Sequence, residues 1–218
     1  MKSMTVVAYQ QMRQNIIDNQ WPPGTQATEQ ELASLLGMSR TPVREALIRL
    51  EQEGLLSVIP RHGMRVLPIT PADMEEIYIV ISSLEATAAE LVAARHLEEA
   101  ELAGLMSSVQ EMSDALSQND LEKWAIADEH FHRQLLNLCG NEMLKNIVLN
   151  FWDRAHRARM ITLRLRSKPT QSTSEHAELI AALREGNVVQ AGKIQKEHRD
   201  RARKELLSIL HNFKLTNL

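Results

Sequence analysis

The sequence predicts a mainly α protein in two parts, a small N-terminal domain of three short helices with a β-hairpin and a larger all-helical C-terminal domain. Three observations carry that expectation. Apolar residues recur at three- and four-residue spacing through most of the chain. Strand-like segments occur only around residues 55–67, on either side of a glycine-containing turn. Pro68 and Pro71 punctuate the chain where the pattern changes, and 218 residues accommodate one small and one medium domain.

The first helix is expected from Val6 to Asn19, with Val6, Tyr9, Met12, Arg13 and Ile16-Ile17 at helical spacing, and Trp21-Pro22-Pro23-Gly24 ends it. Thr28-Glu29-Gln30-Glu31 matches a capping box, with Thr28 as the cap and Glu31 reaching back. The second helix then carries Leu32, Leu35 and Leu36 and breaks at Gly37. Ser39 or Thr41 caps the third helix, in whose first turn Pro42 is tolerated because its missing N–H costs nothing there. That helix runs to about Glu53, with Val43, Leu47 and Leu50 facing inward. A hairpin follows, Leu55–Ile59 and Met64–Leu67 around Pro60-Arg61-His62-Gly63. The domains are therefore placed at residues 1–68 and 72–218, with residues 69–71 as linker.

From Ala72 onward about six amphipathic helices are expected, with breaks near His96-Leu97, Asn119-Asp120, Gly140-Asn141, Ser167-Lys168-Pro169 and Gly186-Asn187. With no strands between them, an antiparallel bundle is the natural way to bury their apolar faces.

Composition narrows the class. The chain is 44% hydrophobic and 24% charged, and no unbroken apolar run approaches the ~20 residues of a membrane-spanning helix, so none is expected. The N-terminus lacks an apolar h-region and a small-residue cleavage site, and the lone Cys139 cannot form an intramolecular disulfide; both point to the cytoplasm. The net charge of −3 is unevenly spread: residues 1–68 carry seven Lys/Arg against six Asp/Glu, and the remainder eighteen against twenty-two. Nucleic-acid contact, if any, belongs to the first third.

Three short helices followed by a hairpin is the order of a winged helix-turn-helix, whose third helix enters the major groove. Arg40, Thr41 and Arg44 fall in the first turn and a half of that helix, where arginine forks reach guanine or phosphate. Ser39 and Thr41 add phosphate hydrogen bonds, and Arg61, His62 and Gly63 form a small basic wing tip whose glycine lets the backbone approach DNA closely. Taken one at a time, such arginines more often merely solvate a helix. Together, Gly37-Met38-Ser39-Arg40-Thr41-Pro42-Val43-Arg44-Glu45-Ala46-Leu47 and Glu53-Gly54-Leu55-Leu56 closely resemble the N-terminal signature of GntR-superfamily regulators. The resemblance implies that Arg40 and Arg44 contact bases and phosphates and that His62-Gly63 is the wing tip. Some members place an arginine on helix two where this chain has Gln30, so their operator sequences do not transfer.

In the helical region polar residues stand on apolar faces. Asp128 and His132 lie at i and i+4 within the stripe Leu121, Trp124-Ala125, Phe131, Leu135-Leu136, Cys139. His176 shares a face with Leu179, Ile180 and Leu183, and His198 with Ala191, Ile194, Ala202 and Leu206. Buried unpaired, such groups would cost several kcal/mol, so they satisfy one another, water or an ion. One carboxylate and three imidazoles suit Zn²⁺, Mn²⁺ or Ni²⁺. A single inward histidine is more often a hydrogen-bonded core residue. His130, His96, His156 and His211 lack a comparable partner pattern.

Asp128-Glu129-His130-Phe131-His132, Glu175-His176 and His198 look like the metal-binding set of the FCD effector domain, the FadR-type branch of GntR regulators. The resemblance implies a bundle of six or seven helices, a divalent metal, most simply zinc, on Asp128, His132, His176 and His198, and a small organic acid as effector. The family often shows an arginine four residues before the glutamate of its first effector helix; here that place is Ile81, before Glu85. Arg154, Arg157 and Arg164 substitute for it in the ligand pocket or else form a solvated face. The expectation is a homodimeric, non-enzymatic repressor on a palindromic operator; a purely structural metal and a metal-dependent hydrolase are the alternatives.

Overall fold

A computed structural model describes residues 3–216 and 218. Contacts divide it into two units, one running to Thr70 together with Asp153–Ala158, the other comprising Pro71–Trp152 and Arg159–Leu215.

The first unit contains α1 (Met4–Ile17), β1 (Gln26–Ala27), α2 (Glu29–Leu36), α3 (Arg40–Gln52), β2 (Leu56–Ile59) and β3 (Gly63–Val66). The capping box forms as expected: Glu31 N–H donates to Thr28 Oγ1 at 3.2 Å, and Thr28 N–H donates to Glu31 Oε2 at 2.7 Å. Gly37 ends α2 in the left-handed conformation, φ 63°. Ser39 caps α3 through its extended backbone, without a side-chain cap bond. Pro42 is third in α3, among the N–H groups that have no partner within the helix. Met12 and Ile16 of α1, Leu32 of α2, Val43, Leu47 and Leu50 of α3, and Leu56, Met64 and Val66 of the strands form one buried core.

β2 pairs antiparallel with β3, Leu56 opposite Val66 and Ile59 opposite Gly63. Sequence reading missed β1, which pairs with the other edge of β3 and makes the hairpin a three-stranded sheet. Two residues are too few to show alternation. β1 also explains Gly63: a Cβ there would stand 2.1 Å from Ala27 O, and its φ is 88°. The glycine expected to admit DNA is required by β1.

The second unit is built of α4 (Pro71–Ala94), α5 (Glu99–Ser117), α6 (Leu121–Leu138), α8 (Thr170–Arg184), α9 (Val188–Asn212) and α7 (Glu142–Leu163) apart from its Asp153–Ala158 stretch. Four of the expected breaks hold a residue of positive φ, namely His96, Asn119, Gly140 and Gly186. α4 packs chiefly on α9, α5 on α6, and α8 on α9 and α5.

α4 corrects one expectation. It is long and apolar enough to cross a membrane by length and composition, its most apolar window having a mean hydropathy of 1.5. More than half of that window is buried inside the protein, with Ile77, Ile81, Ala88, Ala89 and Val92 in the core. Ser82, Ser83, Glu85, Thr87 and Glu90 interrupt the apolar run, so no unbroken stretch marks this helix in the sequence. Ser83 and Thr87 return their hydroxyls to backbone carbonyls one turn back.

Candidate functional site

Asp128 and His132 project from one face of α6, a turn apart, while α8 supplies His176 and α9 His198. Each is at most 3% exposed, and one ligand atom from each lies within 4.8 Å of the others. His176 Nε2 stands 3.0 Å from Asp128 Oδ1, whereas His132 Nε2 is 3.7 Å from that oxygen, beyond hydrogen-bond reach. The four residues that sequence placed on apolar faces therefore meet at one buried point.

The surrounding residues assign one tautomer. His198 Nδ1 is 2.7 Å from Glu175 Oε2; a carboxylate accepts, so Nδ1 carries the hydrogen and Nε2 offers a lone pair. His132 Nδ1 lies 3.2 Å from Glu85 Oε2 and 3.4 Å from Gln195 Nε2. Burial pushes His176 down to about 4. Burial and the neighbouring His176 push His198 down to about 3, so both imidazoles are neutral at pH 7. Burial alone would raise Asp128, but the neighbouring His132 and the hydrogen bond with His176 hold it well below the usual carboxylate range.

A divalent ion fits this donor set. Among the described residues, His132 Nε2 and His176 Nδ1 are buried without a hydrogen-bond partner, and each such atom costs about 1–3 kcal/mol unless something satisfies it. Three imidazoles and a carboxylate without thiolate match zinc, manganese and nickel chemistry alike.

Charged residues enclose the cluster. Glu85 of α4, fully buried, accepts from Trp152 Nε1 at 2.8 Å, Gln195 Nε2 at 2.6 Å, and Arg199 through Nε at 2.7 Å and Nη2 at 2.9 Å. Burial would raise it; Arg199 and His132 hold it far below the usual range. Removing one member of such a buried pair costs about 3–5 kcal/mol. Arg159 donates Nη2 to Asp128 Oδ2 at 2.9 Å and lies over the Trp152 ring, 4.5 Å from its centroid. Arg201 grips both oxygens of Glu175, whose pKa is held at about 2 as His198 and Arg201 outweigh burial.

The arginines expected at the ligand pocket lie elsewhere. Arg157 donates Nη2 to Leu67 O at 2.7 Å, and Arg154 packs beside Gly54, both within the first unit. Arg164 pairs with Glu122 at the surface. A helix of 22 residues turns successive arginines to different sides, and it is Arg159 that faces the cluster. Arg199 stands among polar neighbours, and Arg159 is one of several arginines on α7, so neither marked itself in the sequence. Glu85 had a legible signal, falling four residues after Ile81 on the inward stripe of α4.

On the first unit, Ser39, Arg40, Thr41 and Arg44 are exposed at the start of α3, with His62 exposed and Gly63 half-buried at the hairpin tip. Arg40 and Arg44, a turn apart, both bind Glu29 of α2: Arg44 Nε to Oε1 at 2.8 Å, Arg44 Nη2 to Oε2 at 2.7 Å, and Arg40 Nη2 to Oε2 at 3.0 Å.

Two family descriptions match this chain: "Bacterial regulatory proteins, gntR family" over residues 5–66 and "FCD domain" over residues 76–201. The chain belongs to the GntR family, with an FCD domain. It is thus a DNA-binding transcriptional regulator rather than a member of an enzyme family. An HTH-type transcriptional regulator from Agrobacterium vitis, described as lying in the TAR-I ttuE-ttuC' intergenic region, is 46% identical over 59% of this chain and 77% of its own. The repressor RspR of Escherichia coli is 25% identical over 86% of this chain and 82% of its own. The solved E. coli McbR/YncC shares the fold, with a TM-score of 0.77 and 24% identity over 95% of this chain and 99% of that one.

Proposed function

We propose that this GntR-family protein is a ligand-responsive repressor, acting in the cytoplasm as a homodimer on a palindromic operator. Residues 1–68 are the reading domain, 69–71 the linker, and 72–218 the domain that holds metal and effector and dimerises. Two copies of a helix-turn-helix reading two half-sites give palindromy. The α3 residues Arg40, Thr41 and Arg44 read base edges and phosphates, Ser39 adds a phosphate contact, and His62-Gly63 touches DNA at the wing. The repressor sign follows the relative from E. coli.

The observation that carries the effector half is the pair of orphaned imidazole nitrogens beside Asp128. Asp128, His132, His176 and His198 would hold a divalent cation, with zinc first and manganese or nickel admitted by the same donors. Bound there, the ion supplies an electrophilic positive centre to an anionic oxygen. Around the cluster Asp128, Glu85 and Glu175 are balanced by Arg159, Arg199 and Arg201, so a divalent ion leaves the site in positive excess. A small organic acid offsets that excess, by one charge per carboxylate, and Arg159, rather than Arg154 or Arg157, is the guanidinium closest to the cluster to meet it.

Complete burial of the four donors also favours a second reading, in which the metal only stiffens the bundle. Selection of genomic fragments by the purified protein, with and without chelator, tests both. The effector reading predicts an enriched short palindrome whose recovery changes on chelation. A stiffening ion predicts the same enrichment in both arms once the apoprotein is kept below its melting temperature. No enrichment in either arm contradicts the operator reading.

A further inference from the structure

Glu29 is the first residue of α2, placed there by the Thr28 cap, and its carboxylate is 17% exposed while the Arg40 and Arg44 side chains it binds are 58% and 59% exposed. Arg44 commits its Nε–Nη2 edge to this carboxylate, one nitrogen to each oxygen. A guanidinium carries five donors in a planar fork, so the Nη1–Nη2 edge of Arg44 is left for the two acceptors of a guanine. The same contact fixes a long side chain that would otherwise sample many rotamers before docking. It also sets one negative charge against the two positive ones at the tip of α3.

We propose that Glu29 is a specificity-determining positioning residue of the DNA-reading surface. It presents Arg44 edge-on to a guanine and offsets part of the α3 charge, so that phosphate attraction alone binds poorly. The inference rests on α3 being the reading helix, as argued under Proposed function.

The test uses the full chain and a randomised duplex library, comparing wild type with Glu29→Gln and Arg44→Lys. Wild type is expected to select a motif containing a strongly preferred guanine. Glu29→Gln is expected to relax the preference at that base pair about tenfold or more, while its affinity for the unselected library rises and its salt slope steepens by about one. Arg44→Lys keeps the charge but has no fork. It should relax the same base pair without the rise in unselected binding. Should Glu29→Gln prove unstable, Arg44→Lys still decides the point: full preference retained there overturns the proposal. Wild-type selection with an unchanged preference in Glu29→Gln overturns the Glu29 role alone. No preferred sequence from wild type overturns both this role and the reading helix.

Discussion

His198 Nδ1 donates to Glu175 Oε2 across 2.7 Å, from α9 to α8, and that contact decides which nitrogen His198 offers to the buried cluster. Arg201, three residues further along α9, grips the same carboxylate, so Glu175 cannot swing away without giving up an ion pair as well. Histidine ligands in metal sites commonly depend on such outer partners for orientation and basicity.

Glu175→Gln should therefore keep the fold and lower divalent-metal affinity about 10- to 100-fold. Competition against a chromophoric chelator measures it. Wild-type affinity in the variant would show that Glu175 does not hold the imidazole.

Metal removal should lower the melting temperature. An ion present at ~100 times its dissociation constant stabilises by about 2.7 kcal/mol, which for a domain of this size is roughly 5–10 °C. His132→Ala should melt lower and lose its response to chelator. A variant that still responds to chelator would place the ion elsewhere.

Arg44→Ala should reduce operator affinity about tenfold or more at moderate salt while lowering the melting temperature only slightly, because its side chain is exposed and its ion pair with Glu29 lies at the surface. Fluorescence anisotropy on the selected duplex checks this. Unchanged affinity would count against α3 as the reading helix.

Glu29 supplies a pH signature. Its hydrogen bonds from Arg44 and Arg40 hold it at about 2, below the 4.5 of an unperturbed glutamate. A depressed carboxylate stabilises the fold above its unfolded pKa and loses that contribution as pH falls from about 4.5 towards 2. Acid titration of Glu29→Gln should accordingly be flatter than wild type in that window, read by circular dichroism. Superimposable curves would mean the ion pairs do not form in solution.

Periodicity and punctuation were enough to anticipate α2 and its capping box, the start of α3, and the breaks at His96, Asn119, Gly140 and Gly186, because those features are encoded locally. The inward faces of three helices likewise pointed to Asp128, His132, His176 and His198. What surrounds them was not legible. The partners of Arg159 and Arg199, Asp128 and Glu85, are on other helices, 31 and 114 residues away in sequence. The two residues of β1 gave no alternation, so the need for Gly63 was ascribed to DNA alone. Local patterns disclose caps and faces; pairings made across the fold disclose themselves only in three dimensions.

The most direct test of the account is elemental analysis of the purified full-length protein beside Asp128→Ala and His176→Ala variants. The account predicts one divalent transition-metal ion per chain in wild type and its loss from both variants, with all three folded by circular dichroism. A wild-type protein that stays metal-free after incubation with zinc, manganese or nickel would contradict it, as would full occupancy in either variant.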